Sequence, residues 1–323
     1  MFGMAFSKSI SKISISHRHA FRRGSTSAAA SSLDGAVFRI SLGFASLLLA
    51  SGVFHIGVWG FLGGEWEGDV SWRKPILFGL SAGMTLASFS WLSHRIPPTA
   101  RTRLALSLLS TSLLLEVALI TLQQWRGVTS HFNRSTLFDR VIDQSMTGLI
   151  LLATASIVPL AVAVFRTVGL PSDLRLAVRA GIVFLFLSCF IGVIIWLHGL
   201  QRLNLGLPPA QVGTAGIPKF PHGVSIHALQ LFPITCWILT KIGWPMPSRR
   251  TAIKCLVANH ATLLIFSIYQ TVSGRARFEM DIPALILFVL AMACLIPMIF
   301  EFFRQCLFWA IPSAGKRSSS LAE

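Results

Sequence analysis

The sequence runs to 323 residues, of which 53% are hydrophobic and only 12% charged, with a formal net charge of +16. An average soluble domain carries about twice that share of charged side chains, so a water-soluble globular class is excluded. The basic excess is scattered between long apolar stretches and forms no cluster with interleaved aromatics, which argues against a nucleic-acid partner.

Residues 1–35 form a basic tail. No Asp or Glu occurs before Asp34, while Ser, Lys, Arg and His are frequent. The composition predicts a disordered cytosolic segment lying against an anionic leaflet, with an organellar transit peptide as the alternative. Apolar windows near the 20 residues needed to cross a hydrocarbon core then follow one another. They predict eight transmembrane helices, at about Ala36 to Phe61, Ile76 to Ser93, Leu104 to Gln124, Ser145 to Phe165, Val178 to His198, His222 to Ile242, Thr251 to Ser273 and Pro283 to Phe308. The polar connections carry prolines, among them Pro97, Pro98, Pro171, Pro208, Pro209, Pro218, Pro221, Pro245 and Pro247, where helices are expected to stop. The fold class is therefore an all-α integral membrane protein, with four spans in residues 36–165, four in 166–310, and a short tail at 311–323.

Direction follows from the cations. With a cytosolic N-terminus, the inside segments hold 19 Lys and Arg and the outside segments 9, the bias the positive-inside rule requires. Both termini are then cytosolic, in a bacterial inner membrane, with an organellar membrane as the alternative. The five cysteines fall in or at the ends of apolar segments without a CxxC or Cys/His metal spacing, and read as small packing residues.

A parallel 4+4 internal repeat is a further expectation. A shift of 146 residues places Pro75 on Pro221, Ala82 on Ala228, Trp91 on Trp237 and Gln124 on Gln270, and Ala155 to Pro159 resembles Ala293 to Pro297 after a shorter offset. Chance similarity between apolar helices is the competing explanation. A true repeat would set a site where the halves meet.

The polar residues inside the spans carry the functional expectation. Glu116 sits within an apolar helix, where a charged side chain costs at least about 2.5 to 3.5 kcal/mol and ordinarily faces a bundle interior or a water-filled cavity. His55 and His227 fall at a similar depth, roughly two turns from the outer ends of their spans. Nearer that end come Lys74, Gln123, Arg126, His131, Asn133, Gln230 and Gln270, together with Arg73, Gln124, His198 and His222. The pattern predicts an outward-facing polar cavity with these residues as ligand-binding or proton-exchange candidates. The bland reading makes the histidines interhelical hydrogen-bonding groups and pairs Glu116 with Arg126 or Lys74 to hold the bundle together.

The runs LQQWRGVTSHFN and PHGVSIHALQ resemble paired motifs in a family of bacterial multi-pass membrane proteins whose activity is uncharacterised. The resemblance covers about Ala36 to Phe308 and implies a shared architecture, with Arg126, His131, Asn133, His222, His227 and Gln230 on matching positions; it brings no activity or cofactor.

Three functions remain open on these residues: a protein that binds or transports a small polar solute or ion; a membrane-embedded haem or metal redox enzyme or subunit, with His55, His227 and His260 as ligands and Glu116 added for a metal; and a structural or assembly subunit. The lipid bilayer is the certain partner class, and an oligomer or a larger membrane complex is compatible with all three. Walker, GxSxG and HExxH motifs do not occur.

Overall fold

The computed structural model describes residues 35–310, with side chains through Gln305. The basic tail and the segment 311–323 lie outside the described residues. The described chain is a succession of helices: α1 (Gly35–Leu62), α2 (Arg73–Ser93), α3 (Ala100–Trp125), α4 (Leu137–Arg166), α5 (Ser172–Asn204), α6 (Lys219–Ile226), α7 (Ala228–Lys241), α8 (Met246–Val272), α9 (Ile282–Ala293) and α10 (Ile296–Ala310). Eight stretches are long and apolar enough to cross a membrane, the sixth being α6 with α7 and the eighth α9 running into α10. In lipid every backbone N–H and C=O must find its partner within the helix, which is why the uncharged windows fold this way.

The expected spans are all present, several of them longer than hydropathy indicates. α4 begins at Leu137 rather than near Ser145, because Asp139, Asp143 and Gln144 depress an apolar window without opposing a helix. Thr136 caps that start, accepting from the Asp139 N–H. Asp281 caps α9 through the Ala284 N–H, and Pro245 and Pro247 open α8, where a missing N–H costs nothing.

Packing divides the chain into two units. One takes the described residues up to Glu67, Ser71–Leu122 and Thr147–Leu160; the other takes Gly68–Val70, Gln123–Met146 and the described residues from Ala161 onward. In the first unit α1 and α2 cross with their backbones almost touching. A Cβ on Gly79 would lie 2.9 Å from the Gly52 nitrogen, and one on Gly52 would meet Leu80. Ser41 and Ser110 hydroxyls, 2.9 Å apart, tie α1 to α3, and Leu48, Leu86, Phe89, Leu109 and Ile120 are buried.

In the second unit α5 crosses the start of α7 as closely. A Cβ on Gly181 would stand 2.7 Å from the Leu229 Cα. Ala177, Phe184, Ala228, Phe232, Cys236, Ile253, Leu256 and Leu264 form the core there. Asp173 at the start of α5 holds Arg249 of α8 in an ion pair, Nε to Oδ2 at 2.5 Å, and Arg249 also donates to the Trp244 carbonyl.

Candidate functional site

The three titratable candidates expected at one depth lie well inside their spans. Glu116 is 3% exposed and stands nine residues before the end of α3; His55, also 3% exposed, stands seven before the end of α1. His227 stands eight residues after the start of α6. At 1.5 Å per residue each is roughly 10 to 14 Å along its own helix from that end. His55 and Glu116 belong to the first unit and His227 to the second.

In the first unit His55 Nδ1 donates to the Ser51 carbonyl at 2.7 Å, one turn back on α1. Its ring stacks on Trp72, with centroids 5.9 Å apart and planes at 27°. Trp72 is the residue immediately before α2, so the RKP opening of that helix sets the indole over the imidazole. Lys74, the next candidate, is half-buried in the first turn of α2, and Arg73 pairs with Glu67 outside the helix.

In the second unit the sixth span is broken at His227, which ends α6 and starts α7 with φ −95° and ψ 4°. Its carbonyl accepts from both the Gln230 and the Leu231 N–H groups, at 3.1 and 2.9 Å. The imidazole interacts with Gln230, one turn on, while its Nδ1 is buried with no hydrogen-bond partner. His222, earlier in α6, is differently placed: its Nδ1 meets the Ser188 carbonyl and hydroxyl, both at 2.9 Å, which ties α6 to α5. His260 of α8 stands edge-on to Phe184 and Phe232, with centroids 5.8 and 5.1 Å away, and its Nδ1 too is buried without a partner. Buried polar atoms are hydrogen-bonded in the great majority of cases, so the unmatched Nδ1 atoms of these two imidazoles stand out in the core of the second unit.

The remaining candidates hold loops together. Gln123, fully buried, donates through Nε2 to Asp139 Oδ1 at 3.1 Å. Arg126 donates to the same oxygen at 2.7 Å and to Gln123 Oε1, and its guanidinium lies 4.7 Å from the centre of the Phe138 ring. The carboxylate that pairs with Arg126 is therefore Asp139, a residue that hydropathy reading passed over. Asn133 donates to the Thr129 carbonyl and accepts from the Ser135 N–H. His131 Nδ1 lies 2.9 Å from the Ser130 hydroxyl.

Phe132 between them has φ +60°, a costly conformation for a bulky side chain. Its N–H is held by Asp143 at 2.8 Å, and its ring fills the slot left by Gly199, where a Cβ would come within 2.5 Å of it. Gln270, also fully buried, donates through Nε2 toward the carbonyls of Ala276, Arg277 and Glu279, the last at 2.6 Å.

Among the described residues no group of three or more His, Cys, Asp or Glu comes together as a metal site. The described cysteines Cys189, Cys236, Cys255 and Cys294 are free thiols.

Eight apolar helices of this length make the chain an all-α, multi-pass membrane protein. No protein-family model matches the sequence, no curated protein matches it, and no solved structure matches the fold.

Proposed function

We propose that the protein binds or moves a small polar solute or ion within the membrane, with Glu116, His55 and His227 as its proton-exchanging groups. The observation that carries this reading is His227: an imidazole at the break of a membrane span, its Nδ1 buried and without a hydrogen-bond partner. The irregular turn at His227, within a span that otherwise runs from Lys219 to Lys241, loosens the helix at depth, a slighter form of the interrupted helices on which membrane transporters commonly place substrate and ion sites. Glu116, buried in α3, supports the same reading, since a carboxylate is rarely retained at that depth without a task.

The reading includes the parallel 4+4 repeat. Support comes from the matching ends of α3 and α8. Fully buried glutamines, Gln123 and Gln270, stand four residues before the positive-φ glycines Gly127 and Gly274 that close these helices, a closure that α5 and α7 also make at Gly206 and Gly243. Val128 N–H bonds the Gln123 carbonyl as Arg275 N–H bonds that of Gln270, at 3.1 and 3.0 Å. These ends correspond at a spacing of 147 residues.

The test is reconstitution into sealed vesicles with a panel of radiolabelled small polar solutes and a trapped pH dye. Wild-type protein should take up or bind at least one solute with a linked proton signal, and Glu116→Gln and His227→Ala should each lose at least tenfold in rate per reconstituted molecule. A purely structural role predicts instead that both variants lower abundance alone, with uptake per molecule unchanged; that outcome rejects the proposal. A Soret band or stoichiometric metal in the purified protein would favour the redox alternative.

A further inference from the structure

The first turns of α5 carry two arginines with no carboxylate. Arg175 donates to the Val168 carbonyl at 3.3 Å. Arg179 donates through Nη2 to the Phe165 carbonyl at 2.6 Å and to that of Thr167 at 3.4 Å, and its Nε is buried with no partner. Two guanidinium groups offer ten N–H donors, and most of these have no protein acceptor. The nearest acid on the helix, Asp173, is taken by Arg249. Arg175, in the first turn of α5, is also opposed by the helix dipole, so this corner of the second unit is short of negative charge. The carbonyls of Phe165, Thr167 and Val168, and the Phe165 ring 5.5 Å from the Arg179 guanidinium, account for part of this pair and leave the rest.

The position along α5 defines what could supply that charge. No Asp, Glu, Lys or Arg occurs from Ala180 to Gln201, so Arg179 stands where the charge-free stretch begins. α5, at 33 residues, is about 50 Å long against a hydrocarbon core of about 30 Å, which sets its first turns at headgroup level. Residues four apart share one ridge of a helix. Continuing from Arg175 and Arg179 that ridge is Val183 and Leu187, 48% and 41% exposed.

We infer that this ridge is a seat for an anionic phospholipid, its phosphate held by Arg175 and Arg179 and an acyl chain lying along Val183 and Leu187. The arginine fork suits a phosphate through paired N–H donors, and the apolar continuation selects a lipid over a free anion.

Native mass spectrometry of the purified full chain in mixed micelles of phosphatidylglycerol and phosphatidylcholine tests this. Wild-type protein should retain one phosphatidylglycerol through delipidation in preference to phosphatidylcholine. The double variant Arg175→Gln/Arg179→Gln should lose that preference at least tenfold, while Arg250→Gln, an exposed cation on another helix, should keep it. Millimolar inorganic phosphate should not displace the lipid. Equal retention of the two lipids by wild-type protein, which needs no variant to fold, overturns the proposal. So does equal loss in the Arg250→Gln control, which indicates bulk charge, or displacement by phosphate, which indicates a free-anion site.

Discussion

Asp281 shows how a single loop residue fastens two helices of the second unit. Its carboxylate caps α9 through the Ala284 N–H at 2.8 Å, accepts the Tyr269 hydroxyl at 2.7 Å and pairs with Arg275 at 2.8 Å. The Tyr269 hydroxyl is the main cause holding this carboxyl below its ordinary range, against a smaller opposing push from desolvation, with the Ala284 N–H and Arg275 adding to it. A folded-state value below the unfolded one means stability that is complete above the ordinary carboxylate range and lost as pH falls through the lowered value. Asp281→Asn should therefore lower the melting temperature at neutral pH, and the gap to wild type should close as the sample is acidified. Thermal unfolding of both proteins across pH 7 to 3 measures this.

Residues of this kind explain what sequence reading could and could not reach. Gln123, Arg126, Asn133 and Gln270 were legible as a polar set, because polar groups at the ends of apolar spans stand out against their surroundings. Their partners were not. Asp139 and Asp143 lie in the first turns of α4, where an acid is ordinary, and only the return of the chain brings Asp139 onto Gln123 and Arg126. Several candidates expected around a cavity thus spend their hydrogen bonds on the loop after α3, while His227 and His260 keep a buried nitrogen unmatched.

At the scale of elements, the eight spans were readable because a window of 20 apolar residues has one outcome in lipid. The breaks were not. The polar letters His227 and Gln230 in the run SIHALQ mark a candidate site but not a turn, and the α9–α10 break at Cys294 and Leu295 falls inside a continuous apolar stretch. The crossing of α5 with the start of α7 offers a test of packing beside the break. A side chain at Gly181 meets the backbone of Leu229 at 2.7 Å and of Ala228 at 3.1 Å, and backbone cannot swing aside as a rotamer can. Gly181→Val should cost about 1 to 3 kcal/mol, the usual price of overpacking a filled core. A Gly181→Val protein that melts with wild type in detergent would show that the crossing yields freely.

For the whole molecule, the eight helices long and apolar enough to span among the described residues are an even number, which puts the start of α1 and the end of the last span on one side when each crosses. We propose the cytosol, on the strength of the Lys and Arg excess in the segments on that side. Reporters active only in the cytosol, fused at each terminus, should both be active, and reporters that work only on the opposite side of the membrane should both be silent at the same positions. Opposite behaviour of the two ends would mean that one of the eight helices fails to cross.

The last span differs from the others in how little of it the rest of the protein covers: 11% of its most apolar window is buried, against 22 to 50% in the other seven. It leans on α8 through two alanines seven residues apart, Ala284 and Ala291, both fully buried, and through the Asn259 amide, which reaches the Ala291 carbonyl at 2.8 Å. A helix whose backbone is satisfied within itself stays folded in lipid whether or not it touches a neighbour. Lateral detachment of this stave is thus separable from its unwinding, and harsh detergent should peel it from the bundle while its helical signal persists.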